Sequence, residues 1–402
     1  MEVLFLTIIF LIIVAILWLR KPLYLALAAG ILAAILLFRI SPLEAVTVIG
    51  KQTIARETID LLLSFYAIMF LQLMLEKKGR LANAQDAFNG LLRNRRLNTI
   101  VSPAIMGLLP SAAVMTICSD MVNSTCDKYL DVKSKTFVAC YYRHIPEMFL
   151  PTFPVILLAM TLSGKSIGAF ILAMIPLVLL ACTVVYFTYL IKLPKEMPPL
   201  DGTVNGRQEI LKLIRNLWTL ILVLVIIVAG NLSACIAGPI VIVINYFVDH
   251  FTPKDLPEML VKSAEPVLLG NMYLIMLFKG VLADTGVLTK LPGFFTKFPI
   301  PLALSFALLF FFGTVISGSQ TMVALCMPMV MSAFPDAGMP MLVMLMGIAW
   351  AAMEISPTHV CAFVAADYFH TTLGDIIAKA LPSVVIFSVL CYGYGELLMR
   401  LL

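Results

Sequence analysis

The sequence predicts an all-α polytopic membrane protein with about ten transmembrane helices, two re-entrant hairpins and two inverted-topology repeats. Three observations lead to this fold class. The chain is far more apolar than a soluble domain, several apolar segments are interrupted by Pro, Gly and polar residues, and the interruptions recur at one offset along the chain.

Composition excludes a soluble domain. The 402 residues are 61% hydrophobic and 13% charged, with a mean hydropathy of +1.01, whereas soluble domains are about half apolar and a quarter charged. Glu2 stands where a signal peptide would carry a basic residue, and Arg20 and Lys21 follow the first apolar run, so we expect a retained first span. The cysteines form no CxxC pair and the histidines show no metal-ligand spacing, so no metal site is predicted.

The apolar segments divide into spans and interrupted stretches. Spans are predicted at residues 2–19, 22–39, 58–76, 135–162, 166–192, 211–230, 232–250, 264–283, 340–366 and 377–399. Two further stretches, 97–122 and 299–332, carry polar residues at their centres. Each is predicted to form two half-length helices that meet at a polar tip, a re-entrant hairpin, which requires surrounding protein or a wet cavity.

The distribution of basic residues predicts the orientation. With the N-terminus outside and both hairpins returning to their side of origin, most of the 28 Lys and Arg residues fall in cytoplasmic segments, as the positive-inside rule requires. We therefore expect a multi-pass protein of the cell membrane, embedded in the lipid bilayer. The net charge of +5 follows from this bias and needs no nucleic-acid partner.

The two halves of the chain match at an offset of about 206 residues. Residues 107–111 (GLLPS) resemble 313–317 (GTVIS), and 150–152 (LPT) resemble 356–358 (SPT). An odd number of spans in each half would invert the second half. The predicted organisation is an N-terminal repeat over 1–192 (hairpin about 97–122, interrupted helix 135–162), a cytoplasmic linker over 193–210, and a C-terminal repeat over 211–402 (hairpin about 299–332, interrupted helix 340–366).

Prolines inside the interrupted helices predict a binding site. Pro151 and Pro357 each remove a backbone donor and break a helix. The new helix N-termini suit an anionic group, and the freed carbonyls suit a cation. The candidate substrate- or ion-binding residues at the breaks and hairpin tips are Pro110, Ser111, Thr152, Ser317, Ser319, Gln320, Thr321, Ser356 and Thr358.

Ionisable residues at mid-depth predict a coupling role. Glu147 and Glu354 hold nearly equivalent positions in the two halves, and charges at this depth are costly unless they are functional. Glu147 has Arg143 one turn away, so a structural ion pair explains it equally well. Glu354 has no Lys or Arg within one helical turn, so it must be protonated, bound to a cation or paired across helices. Asp120 faces a vestibule or a cytoplasmic interface, and His359 shares a proton with Glu354 or is simply hydrogen-bonded.

The motifs GLLPSAAVMTICSDMVN, HIPEMFLPTFP and AAMEISPTHVCAF resemble an uncharacterised membrane family, the domain of unknown function 401, over nearly the whole chain. The hairpin, the interrupted helix and their inverted copy also resemble the ion transporter superfamily of divalent anion symporters, gluconate permeases and citrate transporters. That resemblance implies a scaffold domain that can form a homodimer and a transport domain that moves as an elevator. Its dicarboxylate members carry Ser-Asn-Thr at the hairpin tips. The tips here, Pro110-Ser111-Ala112 and Ser317-Gly318-Ser319-Gln320-Thr321, differ, which counts against a dicarboxylate substrate and against sodium coupling. The two mid-membrane glutamates make proton coupling at least as reasonable.

Three functions are consistent with these predictions. The first is secondary active transport of a small, anionic organic or inorganic solute, driven by H⁺ or Na⁺, with no other cofactor. The second is a cation/proton antiporter on the same architecture. The third is an intramembrane enzyme using Ser356 and His359, but no HExxH or GxSxG pattern supports it, so we do not expect an enzyme.

Overall fold

The computed structural model describes residues 2–19, 21–91, 94–108, 114–197, 206–230, 232–290, 299–357 and 359–401. Within these ranges the chain is helical, and an isolated bridge joins Asn94 to Glu196. The helices of the first half are α1 (Glu2–Trp18), α2 (Leu23–Leu37), α3 (Pro42–Thr53), α4 (Arg56–Lys77), α5 (Arg80–Leu91), α6 (Arg95–Met106), α7 (Val114–Cys126), α8 (Val132–Arg143), α9 (Pro154–Ser163) and α10 (Ile167–Thr188). Those of the second half are α11 (Gly206–Val228), α12 (Ala234–Val248), α13 (Leu256–Ser263), α14 (Pro266–Asp284), α15 (Leu302–Ser317), α16 (Ser319–Ala333), α17 (Gly338–Met353), α18 (Val360–Phe369) and α19 (Leu373–Leu401).

The helices have the length and composition of a multi-pass membrane protein. In the described ranges, α4, α10, α11, α14 and α19 are long and apolar enough to cross a membrane. Two-thirds or more of the most apolar window in α10, α11 and α19 is not buried within the chain, so these surfaces would face lipid. The full count of about ten spans stays a prediction beyond these five helices.

Local sequence explains where individual elements begin. Ser41 starts α3 with a capping box, in which its hydroxyl accepts the Glu44 amide while the Glu44 carboxylate accepts the Ser41 amide. Asp131 caps α8 by accepting the Ser134 amide at 3.0 Å. Pro154 occupies the first turn of α9, where its missing N–H has no cost.

The helices pack as two bodies. The first body comprises α1–α5 and α11–α14, and the second body comprises α6–α10 and α15–α19. Within the second body, α16 packs against α9, and α17 packs against α15 and α19. Each body therefore combines helices from both halves of the chain.

Helix boundaries recur at the offset seen in the sequence. The helix α9 (Pro154–Ser163) lies 206 positions before α18 (Val360–Phe369), and α10 begins 206 positions before α19. The left-handed residues that end α9 and α18, Gly164 and His370, are also 206 positions apart. The recurrence thus extends to the backbone conformation of single residues.

The hairpin stretches contain short helices. At 1.5 Å per residue, α6 and α7 are each about 18–20 Å long and α15 and α16 about 22–24 Å, less than the ~30 Å hydrocarbon core. The turn between α15 and α16 is made by Gly318 at φ +84°, a conformation that favours glycine. The predicted tip of the first hairpin, with Pro110 and Ser111, lies outside the described residues.

Candidate functional site

Both predicted helix interruptions lie in the second body and contact each other. The α8 helix ends at Arg143, a 3₁₀ turn covers Ile145–Met148, and α9 starts at Pro154. The equivalent break separates α17 from α18. Trp350, in the last turn of α17, donates its indole N–H at 2.8 Å to the carbonyl of His144, which also accepts the Glu147 amide at 3.0 Å, so this bond joins the two breaks.

The hairpins approach the same breaks. Ser356 donates its hydroxyl to the Val315 carbonyl in the last turn of α15 at 2.9 Å. Gly107, after the first hairpin arm, lies so close to Arg143 that an added Cβ would sit 1.9 Å from the Arg143 carbonyl oxygen. Glycine is therefore required sterically at this contact.

A cavity of about 370 Å³ opens where these elements meet. The N-termini of three helices border it: α9 with Phe153 and Pro154, α16 with Gly318, Ser319 and Gln320, and α18 with His359, Val360 and Cys361. Arg143, Glu147, Met353 and Ser356 complete the lining. Three helix N-termini and a guanidinium make the cavity electropositive, with Glu147 as the opposing carboxylate.

Behind the cavity lies a buried chain of ionisable side chains. His359 Nε2 is 3.1 Å from His144 Nε2, which makes a hydrogen bond between the two rings. His144 Nδ1 is 3.3 Å from Glu354 Oε1. The side chains of His144 and Glu354 are 0% and 1% exposed, so only His359 of the three reaches the cavity wall.

A cysteine thiol lies beside this chain of ionisable side chains. Cys140 Sγ is 3.8 Å from His144 Nδ1, and donor atoms of Cys140, His144 and His359 lie within 4.8 Å of one another. The two rings are already hydrogen-bonded to each other, and the positive charge of Arg143 faces both. A nearby positive charge disfavours a bound cation.

The cavity brings together part of the predicted site. Glu147, Ser319, Gln320, Ser356 and His359 line it, whereas Glu354 lies behind it. Thr152 and Thr321 are buried near the breaks. Thr152 Oγ1 has no hydrogen-bond partner among the described residues. Pro110, Ser111 and Thr358 fall outside the described part of the chain.

Two predicted residues lie apart from the cavity lining. Asp120 is exposed on α7 and accepts the Tyr368 hydroxyl at 2.9 Å. Ser317 donates to the Gly313 carbonyl within its own helix at 2.8 Å. Both side chains therefore make their hydrogen bonds outside the cavity lining, and the predicted roles of Asp120 and Ser317 stay predictions.

Sequence reasoning missed His144. His359 was expected either to share a proton with Glu354 or to be simply hydrogen-bonded; its ring is hydrogen-bonded to His144, which lies between His359 and Glu354, and proton sharing stays a prediction. His144 was set aside since no spacing pattern included it, and it is 215 residues from His359. The only available signal was its place within the Pro-interrupted segment HIPEMFLPTFP.

Five long apolar helices, together with interrupted and short apolar helices, define a helical, multi-pass membrane protein over the described residues. The chain belongs to the family described as "Protein of unknown function (DUF401)", whose model matches residues 3–394. No curated protein matches the chain at the required level of significance.

The fold is shared with a solved structure. MtrF of Neisseria gonorrhoeae, described as illuminating a class of antimetabolite efflux pumps, is similar with a TM-score of 0.55 and 12% sequence identity. The similarity covers 87% of this chain and 82% of MtrF. At this identity the likeness shows the fold alone.

Proposed function

We propose that the chain is a secondary active transporter for a small solute with an anionic group, coupled to H⁺ or Na⁺. The observation that carries the proposal is the cavity of about 370 Å³ at which three helix N-termini and Arg143 converge. Backbone N–H groups at helix N-termini bind carboxylate, sulfate and phosphate without a dedicated lysine cluster. A cavity of this size would hold a small organic anion rather than a macromolecule.

The architecture we propose is a pair of inverted repeats that moves by elevator-type alternating access. The recurrence of α9 and α10 at α18 and α19 supports the repeats, and the short arms α6, α7, α15 and α16 support two re-entrant hairpins. The likeness to MtrF adds support for transport as the activity. The N-terminus would lie outside, in the cell membrane, and the first body would be the scaffold available for a homodimer.

Transport is tested with the purified chain in proteoliposomes. A panel of small carboxylates, sulfonates and antimetabolite drugs is added outside vesicles that contain a pH-sensitive dye, with and without sodium. We expect at least one anion to drive ion movement that depends on the protein. Proton movement on adding sodium alone, without any organic anion, would instead favour the cation/proton antiporter.

A charge change in the cavity tests the location of the site. Gln320→Glu places a carboxylate at the N-terminus of α16, where it would repel the anion and cancel the helix dipole, so we expect at least about tenfold weaker apparent affinity. Gln208→Glu makes the same charge change at an exposed position on α11 and should leave affinity unchanged. Equal affinities for both variants and wild type would place anion binding elsewhere.

A further inference from the structure

The side chain of Glu354 is shielded from water, but a histidine that can carry a proton lies beside it. Only 1% of it is exposed, and it lies at the end of α17 within the packed second body. An ionised carboxylate in such a place is costly unless a proton or a cation neutralises it. His144 Nδ1 lies 3.3 Å from Glu354 Oε1 without being hydrogen-bonded to it, so a small reorientation of the ring would let a proton pass between them.

His359 connects this buried pair to the cavity. Its Nε2 atom is hydrogen-bonded to His144 Nε2, and its residue lines the cavity at the N-terminus of α18. His359 Nδ1 has no hydrogen-bond partner among the described residues and is itself shielded from solvent, so a cavity water must enter to give it a proton. The two imidazoles therefore span the distance between the cavity wall and Glu354.

We propose, on the basis of the transport function above, that Glu354 carries the coupling proton and that His359 and His144 relay it between the cavity and Glu354. A proton from cavity water binds His359 Nδ1, and His359 Nε2 releases its proton to His144 Nε2. His144 Nδ1 then releases its proton to Glu354 Oε1. One proton enters and one is delivered, and both rings end neutral in the opposite tautomer.

The chemistry of the neighbouring ligand atoms favours H⁺ over Na⁺ as the ion bound at Glu354. Alkali cations, like other hard cations, prefer several oxygen ligands, whereas the nearest donors to Glu354 and His359 along this chain are imidazole nitrogens. The other charged or titratable side chains facing the relay from neighbouring elements are Arg143, Glu147, Cys140, Tyr141 and Cys361. The charge of Arg143 disfavours a lasting imidazolium and so favours passage of the proton over its storage on the rings.

Infrared difference spectroscopy tests the proton acceptor without any transport substrate. Spectra of the purified chain between acidic and alkaline pH should contain a carbonyl band of a protonated carboxylic acid. We expect Glu354→Gln to remove one such band and Glu147→Gln, the matched control, to leave that band in place. A set of carboxylic acid bands unaffected by Glu354→Gln would overturn the proposal.

Proton flux tests the relay. Vesicles with the dye inside and a potassium diffusion potential are compared for wild type, His144→Gln and His359→Gln. We expect flux to fall by about tenfold or more in both variants, the scale of lost general acid–base transfer. His370→Asn, an exposed histidine in the left-handed region that Asn tolerates, should keep wild-type flux. Should His144→Gln fail to elute as a single species, His359→Gln at the cavity edge carries the test.

The outcomes separate the relay from the transport function. Anion transport that requires sodium and moves no proton would retain the transporter and refute the relay. Wild-type proton flux in both histidine variants would refute the relay as well. A Glu354 band with no protein-dependent transport of any anion would support the proton acceptor and contradict the transport function.

Discussion

Single residues determine how closely the hairpins and breaks approach. Gly107 and Gly313 are 206 positions apart, and an added Cβ at either would meet atoms closer than 2.5 Å. The neighbour of Gly313 is the flexible Met322 side chain, which can move, whereas the neighbour of Gly107 is the backbone of Arg143. The first hairpin is therefore the less tolerant of the two contacts.

We predict that Gly107→Ala destabilises the chain by about 1–3 kcal/mol, since the methyl group would overlap the Arg143 carbonyl and force the backbone to shift. The apparent melting temperature of the purified protein should fall by several degrees. Gly270→Ala is the matched control, because a Cβ there meets nothing within 4 Å. Equal melting temperatures for the two variants would show that the α6–α8 contact is looser than the structure describes.

Helix ends at one face of the second body are joined by two reciprocal ion pairs. Asp131 before α8 pairs with Lys379 on α19 at 3.1 Å, and Lys133 on α8 pairs with Asp375 on α19 at 2.6 Å. Burial opposes ionisation of Asp131, but hydrogen bonds from Ser134 and the charge of Lys379 outweigh it and lower the pKa of this carboxyl from 3.8 to about 2.

The lowered pKa predicts how α8 responds to pH. Because the folded-state pKa of Asp131 is below its ordinary value, the ionised carboxylate stabilises the fold above about pH 4 and loses this effect as the pH falls toward 2. Asp131→Asn should cost about 1 kcal/mol or less at neutral pH, since its side chain is 56% exposed and water screens the pair. The difference in melting temperature between wild type and Asp131→Asn should shrink as the pH falls from 5 to 3. Asp336→Asn, an exposed carboxylate before α17, should show no such trend.

The sequence predicts the long helices and their breaks better than the short helices. Pro151 and Pro357 indicated where α8 and α17 give way to new helices, because a missing backbone donor acts locally. The helices α3, α5 and α13 were absent from the predicted spans since they are short, mixed in polarity and follow no membrane-length apolar run. Their formation depends on caps and on packing against α4, α11 and α14.

The candidate site was only partly predictable for a physical reason. Glu354 was identified because a mid-depth carboxylate is costly wherever the chain folds. Its partner His144 was missed because the Glu354–His144 contact is made between two helix breaks more than 200 residues apart. No spacing rule along one helix can report a contact of that kind.

At the scale of the whole molecule, cavities lie along part of the boundary between the two bodies, which otherwise share one buried core. A cavity of about 420 Å³ lies between α4 of the first body and α9 of the second, with Ser64 and Thr161 on opposite walls. A second, apolar cavity of about 580 Å³ separates α1 from α15 and α16. Motion of one body against the other would therefore have to break the packed contacts that α5 makes with α6 and that α4 makes with α9 beside these cavities.

We predict that joining the bodies stops transport. In an Asp60→Cys, Thr161→Cys variant, whose two positions both line the cavity and are partly exposed, a bifunctional thiol reagent that spans the cavity should block proton-coupled anion flux, and a reducing agent that cleaves the linker should restore it. The variants are made in a Cys182→Ala, Cys235→Ala background, because these two native cysteines are partly exposed and Cys235 lies beside the cavity, whereas the other six are buried. The reagent-treated background and each single variant should keep their flux. Mass spectrometry measures the fraction of protein in which the two introduced cysteines are cross-linked. A covalent link between α4 and α9 cannot accommodate a slide of several ångströms. Undiminished flux in fully cross-linked protein would therefore mean that transport proceeds without relative motion of the two bodies.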